Sequence, residues 1–119
     1  MVQLSAFDAS VGLLKENRVE QTTLRAISMD EMSMGGIERN SVTHANGVGI
    51  YCNDHSICMV DKNRVTGTRS DAATGDRTRA GYGLEVSFGA EAEVGRNDLA
   101  HNPARVGVFL GSLVTRMDS

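Results

Sequence analysis

One short phrase occurs four times in this chain, and its spacing restricts the fold more than any other feature of the sequence. A charged residue is followed by Asn and, two positions later, by an aliphatic residue. The four asparagines are Asn17, Asn40, Asn63 and Asn97. The first two intervals are 23 residues and the third is 34, which equals one period plus 11. A fixed period of this length predicts a solenoid of stacked, similar coils.

Apolar residues keep the same register as the asparagines. A residue 13 positions before each Asn is aliphatic, and our alignment continues this column into a fifth, incomplete coil. The column is Leu4, Ile27, Ile50, Leu84 and Val108. Small and apolar residues recur at alternate positions around it, as expected for strands with one buried face. Each period therefore predicts three short strands, for example 48–53, 56–61 and 64–66.

The asparagines fall at the sharp bend that such a coil needs between its second and third strands. Asn tolerates the left-handed backbone conformation, so we expect the Asn itself to adopt it there. Stacked strands lie about 4.8 Å apart, which lets each side-chain amide bond the amide of the next coil. The sequence thus predicts a hydrogen-bonded Asn ladder along the solenoid.

These phrases resemble the right-handed parallel β-helix repeat family, which includes pectate-lyase-like proteins. The resemblance is carried by Gly-Val-Gly-Ile-Tyr at 47–51, Ser-Ile-Cys-Met-Val-Asp-Lys-Asn-Arg-Val at 56–65 and their equivalents in other coils. We predict an all-β, right-handed parallel β-helix of four to five 23-residue coils, with 1–119 as a single domain. The rival leucine-rich repeat fits less well, because its columns should be rich in Leu and its Asn should precede a helical or turn segment.

Composition narrows the classes of partner. The net charge of −3, from 12 basic and 15 acidic residues, argues against a nucleic-acid binder. No stretch is long and apolar enough to span a membrane. The resemblance favours an extracellular or cell-surface location. A bare terminal coil is an open sheet edge, so we expect the chain to continue into a longer β-helix or to pair with other copies.

The outer face of the first sheet is the first candidate binding surface. Ser28, Tyr51, Glu85 and Phe109 are predicted to form one outward column, and Asp30, Asn53 and Ser87 the next. Carboxylates, amides and aromatic faces can bind a sugar chain, through hydroxyl hydrogen bonds and ring stacking. The alternative is an ordinary polar, solvated strand face.

The insertion at 68–80 is the second candidate. It lies between a third strand and the next first strand, and its charged residues include Arg69, Asp76, Arg77 and Arg79. Long polar loops on regular scaffolds often carry binding residues. In pectate-lyase-like proteins, a loop at this place walls a groove over the first sheet. The alternative is a solvated surface loop.

Other residues carry less chemistry. Cys52 and Cys58 are predicted to point into the core as small apolar side chains; a disulfide between them is conceivable but is not predicted. His44, His55 and His101 are predicted to lie on surface turns. No metal site and no cofactor are predicted.

The outward positions of the second sheet form an exposed apolar surface in the prediction. It comprises Val11, Leu13, Met34, Ile57 and Met59, and Glu91 and Glu93 end it. An exposed apolar surface of this kind indicates contact with another chain.

Two functions follow as hypotheses. The first is a module that binds or processes a polysaccharide, with lyase or glycoside hydrolase-like activity if it is an enzyme. The second is a structural solenoid that assembles through its open ends and its second sheet, for example as a homo-oligomer. The acidic cluster of pectate lyases is absent, because Asp30 and Glu85 lie two coils and two columns apart. No catalytic residue is therefore assigned.

Overall fold

The computed structural model describes residues 4–6, 11–20, 26–69, 81–109 and 111–116, and every regular element in this part of the chain is a β-strand. The strands are, in chain order, β1 Leu4–Ala6, β2 Val11–Lys15, β3 Arg18–Glu20, β4 Ile27–Met29, β5 Met34–Glu38, β6 Ser41–Thr43, β7 Val48–Asn53, β8 Ile57–Asp61, β9 Arg64–Thr66, β10 Tyr82–Ser87, β11 Glu91–Val94, β12 Asp98–His101, β13 Ala104–Val108 and β14 Leu113–Arg116. A strand begins directly after each of the four asparagines, where a leucine-rich repeat needs a helical or turn segment, so that repeat is excluded in the described ranges.

Every third strand belongs to the same sheet, so the chain winds as a parallel β-solenoid. The first sheet has the order β1-β4-β7-β10-β13, the second β14-β11-β8-β5-β2, and the third β12-β9-β6-β3. The described strands therefore form four three-strand coils and two strands of a fifth. Right-handed winding is the sense that parallel crossovers adopt in nearly all proteins.

The strand register confirms the 23-residue period. Ile27 pairs with Ile50, and Val42 pairs with Val65, each across one period. These aliphatic side chains point inward and are fully buried, as the alternation in the sequence predicts. The core is a narrow stack of Ile, Val, Leu, Ala, Met and Cys side chains running along the solenoid axis.

The extra residues between the third and fourth coils are 70–80. Asn46 forms a parallel bridge with Arg69, 23 residues on, and the backbone N–H of Gly81 donates to the carbonyl of Gly47, 34 residues before it. Thr68 and Arg69 therefore continue the third coil. The eleven residues that exceed the period lie between Arg69 and Gly81, outside the described residues.

The bends between strands use left-handed backbone, but at different residues from those predicted. Glu16, Arg39 and Lys62 have φ values of 56°, 53° and 56°. Each directly precedes a ladder Asn, so the expectation that the Asn itself is left-handed is wrong. The Asn side chain closes the bend from the following position, where it can reach the next coil.

The bend between the first and second strands is a stacked series of tight turns. In the third coil, Ser56 N–H donates to the Asn53 carbonyl at 3.2 Å, and the central residues Asp54 and His55 both have positive φ. This is the backbone arrangement of a type I′ turn. The same bond and the same pair of positive φ values recur one coil earlier and one coil later.

The fifth coil departs from the predicted register by two residues. Leu84 pairs with Val106 rather than Val108, so this interval is 22 residues. A bulge in β12 adds one residue, and the following bend is two residues shorter than the corresponding bend after β6. The Asn102 side chain closes that shorter bend by donating to the carbonyls of Val65 and Leu99.

Candidate functional site

The Asn ladder is present and runs in one direction. Asn40 Oδ1 accepts from both the backbone and the side-chain amide of Asn17, and Asn63 Oδ1 accepts in the same way from Asn40. Asn97 Oδ1 accepts from Asn63 at 2.9 Å in both bonds. Asn40 and Asn63 are each 2% exposed. These side chains hold the coils together and are not available to a ligand.

The outward column of the first sheet is buried, although the sequence predicted a face accessible to a ligand or, as the alternative, to solvent. Ser28, Tyr51 and Glu85 pair in one register row, as predicted, but they are 0%, 7% and 1% exposed. Glu85 Oε2 accepts a hydrogen bond from Ser87 Oγ at 2.8 Å. The three side chains of this row are therefore buried in the folded chain. The assignment of Tyr51 and Glu85 to ligand binding stays a prediction.

The next outward row is more accessible at two of its three positions, because its third member, Ser87, is 0% exposed. Asn53 Nδ2 donates to Asp30 Oδ1 at 2.8 Å, and both side chains are half-buried. Beside them, on the first bend, His55 Nδ1 lies 3.4 Å from Asp54 Oδ1 in an exposed pair. No group of three His, Cys, Asp or Glu residues within the described ranges is arranged to hold a metal ion.

Phe109 lies elsewhere than predicted, because of the two-residue register change. Glu85 pairs with Gly107, not Phe109. The Phe109 ring packs edge-to-face on Tyr82, with ring centroids 5.5 Å apart and both rings half-buried. A Cβ added to Gly107 would lie within 3 Å of both rings, so the pair covers that glycine. Tyr82 was not among the predicted binding residues. It lies between Gly81 and Gly83, and this phrase was interpreted only as the start of a strand.

The charged loop supplies one described candidate. Arg69 is exposed and bridges to Asn46 through its backbone. Asp76, Arg77 and Arg79 lie outside the described residues. Both ends of the loop bond Gly47, whose N–H donates to the Arg69 carbonyl. Gly47 directly precedes β7, so the loop leaves and rejoins the scaffold at the start of the first-sheet strands.

Cys52 and Cys58 form a disulfide, which corrects the expectation of two separate core side chains. Their Cα atoms are 6.4 Å apart across the first bend of the third coil. Both residues are 0% exposed. Both inward orientations were predicted, but the type I′ turn that returns the chain within four residues was not. That turn brings the two sulfur atoms together.

The outer face of the second sheet carries the predicted apolar surface. We call the five side chains that form it the apolar stripe: Val11, Leu13, Met34, Ile57 and Met59. Between 41% and 82% of each is exposed. The register continues the two rows into exposed Glu91 and Glu93 in the fourth coil, so the stripe ends after three coils, as predicted.

Charged residues border the stripe at the carboxyl ends of its strands. Lys15, Glu38 and Asp61 form one register row directly beyond it. Glu38 Oε1 lies 3.6 Å from Arg39 Nη1. Asp61 Oδ2 likewise lies 4.0 Å from Lys62 Nζ. The border therefore has a positive residue in the first coil and, in the second and third coils, an acidic residue with a basic neighbour.

Searches of protein families, of curated proteins and of solved structures found no match to this chain. The parallel solenoid and its Asn ladder therefore stand on the structure alone, and the pectate-lyase-like resemblance stays a prediction. No helix among the described residues is long and apolar enough to cross a membrane.

Proposed function

We propose that this chain is a structural solenoid that associates with a second copy of itself through the apolar stripe. The observation that supports this is the exposure of five large apolar side chains on one regular sheet face, bounded by charge. Isolated exposed apolar residues are ordinary, but a contiguous patch rimmed by polar groups is typical of an interaction site.

The charges along the border favour a second copy as the occupant. A two-fold axis parallel to the strands and centred on β5 would place the first coil of one copy over the third coil of the other. In that arrangement Lys15 of each copy faces Asp61 of the other. Two Glu38 side chains also face each other, and their repulsion is offset by the adjacent Arg39.

The same axis leaves Glu91 and Glu93 outside the area where the two stripes face each other. Val11 and Leu13 of one copy would pack against Ile57 and Met59 of the other. Met34 of each copy would lie near the axis. Sheets that pack face to face lie about 10 Å apart, a distance that such side chains fill.

The size of the stripe sets the expected strength. Three strands about 4.8 Å apart and five residues long cover roughly 14 Å by 17 Å. This footprint is well below the area that stable interfaces bury, roughly 800 Å² per partner. We therefore expect a dissociation constant of roughly 100 μM, strong enough to matter where copies are concentrated.

Sedimentation equilibrium from about 5 μM to 1 mM tests the proposal. Ile57→Lys should abolish association, because it places a charge in the stripe. Leu113→Lys is the matched control: Leu113 lies in the same row and is 55% exposed, but on the far side of Glu91. Equal loss in both variants, or a strictly monomeric native chain, would contradict the proposal.

A charge reversal tests the axis itself. Lys15→Glu should weaken association by at least tenfold, since it sets like charges opposite each other twice. Arg105→Glu is the control, because it makes the same change of charge at an exposed residue of β13, in the first sheet and away from the border. If both variants associate equally, the proposed axis is wrong even when the stripe itself is the interface.

The Tyr82–Phe109 pair favours a second candidate, a polysaccharide-binding surface on the first sheet. A half-exposed aromatic pair can stack against the apolar face of a sugar ring. Glycan-array screening, followed by titration calorimetry with any hit, would test this. Binding that Tyr82→Ala removes and Phe88→Ala keeps supports the site, because Phe88 is an exposed ring on a bend. Absence of binding to every glycan contradicts it.

The disulfide supports an oxidising location for either function. Buried disulfides form and persist mainly in extracellular and periplasmic compartments. This agrees with the cell-surface location that the family resemblance implies.

A further inference from the structure

Three methionines on or beside the second sheet are exposed. Met34 and Met59 belong to the apolar stripe and are each 46% exposed; Met32, on the bend two residues before Met34, is 65% exposed. Met29, only three residues before Met32, is 0% exposed in the core. One coil thus carries the same side chain in both environments.

We propose that Met34 and Met59 are oxidation sites through which peroxide dissolves the stripe-mediated association, and that exposed Met32 is oxidised without this effect. This rests on the proposed self-association and adds its regulation. In the reaction the thioether sulfur takes one oxygen atom from hydrogen peroxide. The O–O bond breaks, the sulfur loses two electrons, and water leaves. The product, methionine sulfoxide, is polar and can be reduced enzymatically.

Competing thiol chemistry is absent, because the only two cysteines of the chain are paired in the Cys52–Cys58 disulfide. Exposure of the thioether therefore decides where peroxide acts. Met34 lies in the middle coil of the stripe, and Met59 lies in its third coil beside Gly36 of the middle coil, so both thioethers belong to the proposed contact.

A sulfoxide at either position would bring a strong hydrogen-bond acceptor into an apolar contact. Burying an unsatisfied polar group is costly. We expect each of the two sulfoxides in the stripe to raise the dissociation constant about tenfold. Met32 lies outside the paired strands, so its oxidation should leave the constant within about threefold.

Three of the four methionines to be compared lie within one tryptic peptide, and Met59 lies in the next, residues 40–62. Cleavage after Arg25 and Arg39 yields residues 26–39, which contain Met29, Met32 and Met34 together. The native chain is treated with a graded dose of hydrogen peroxide, and tandem mass spectrometry locates the oxygen. Met32, Met34 and Met59 should react at least tenfold faster than Met29. Equal rates would overturn the proposed sites.

The functional consequence is measured on the same samples by sedimentation. Oxidised chain should be monomeric where untreated chain associates, and methionine sulfoxide reductase should restore association. The variant Met32→Leu/Met34→Leu/Met59→Leu keeps the face apolar and should associate with or without peroxide. Association that survives sulfoxide at Met34 and Met59 overturns the switch.

Failure of the two proposals can be distinguished. A native chain that is monomeric before oxidation overturns the self-association, and the switch with it, whatever the oxidation rates are. An associating native chain whose leucine variant also dissociates in peroxide retains the interface but overturns methionine as the sensor.

Discussion

Replacing Asn63 by Ala is expected to destabilise the solenoid more than any other single change in the ladder. The Asn63 side chain is 2% exposed and takes part in four hydrogen bonds. Its Oδ1 accepts from the backbone N–H and the side chain of Asn40, at 3.0 and 2.9 Å. Its Nδ2 donates to the Ile37 carbonyl and to Asn97 Oδ1, at 2.8 and 2.9 Å.

Alanine removes both the donor and the acceptor while the surroundings stay buried. The Asn40 N–H loses the acceptor that Asn63 supplied, and the Ile37 carbonyl loses a donor. A buried polar group left without a partner costs about 1–3 kcal/mol. We therefore expect Asn63→Ala to lower the free energy of unfolding by about 3 kcal/mol, a large part of the stability of a small domain.

Asn17→Ala is the matched comparison at the end of the ladder. Asn17 is half-buried, and its side chain donates to Lys15 and Asn40. Water can replace these bonds, so the expected loss is about 1 kcal/mol. Urea unfolding followed by far-UV circular dichroism gives both values. If Asn63→Ala costs no more than Asn17→Ala, the buried ladder does not stabilise the solenoid as argued.

Three further predictions address the bends, the core and the disulfide. Lys62→Val should be about 1–2 kcal/mol less stable than Lys62→Asn in thermal unfolding, because a β-branched residue is poorly accommodated at φ 56°; equal stability would contradict the left-handed bend. Gly49→Ala should lower the unfolding free energy by about 2 kcal/mol, since its Cβ would meet the Val65 side chain and lie 2.9 Å from the Gly83 carbonyl oxygen; a neutral effect in urea unfolding would show that the coils are less closely packed there. Cys52→Ala/Cys58→Ala should lower the free energy of unfolding by about 2 kcal/mol, because a short cross-link is lost. When the unsubstituted chain is unfolded without a reductant, an alkylating agent should find no free thiol; full alkylation would contradict the disulfide.

The periodic part of the fold could be predicted because it repeats. The 23-residue interval sets the register, and each inward position is tested several times along the chain. Ile27, Ile50 and Leu84 all proved to be buried neighbours. The apolar stripe was predicted for the same reason, since outward positions follow from the period-two alternation of each strand.

Features that depend on a single coil were harder to predict. The fifth-coil register was wrong because a β12 bulge and a shortened bend have no counterpart in earlier coils. The left-handed conformation was assigned to the Asn, but the charged residue before it adopts that conformation. Residue preference says little about which of two adjacent positions in a bend is left-handed. The disulfide depended on the type I′ turn between Cys52 and Cys58.

Burial of the first-sheet outer row also could not be read from alternation. The pattern places Tyr51 and Glu85 on the outward side of their strands, but outward is not the same as exposed. Both side chains are nearly fully buried in the folded chain. The second sheet shows the contrast, because its outward side chains remain accessible.

Backbone contacts measured by nuclear magnetic resonance test the parallel solenoid most directly. The structure predicts nuclear Overhauser effects between residues 23 apart, such as Val42 and Val65, and 34 apart, such as Val60 and Val94. It also predicts slow exchange of the Asn40 and Asn63 side-chain amide protons. Contacts between consecutive strands in antiparallel register, such as β8 with β9, would contradict the fold on which every proposal above depends.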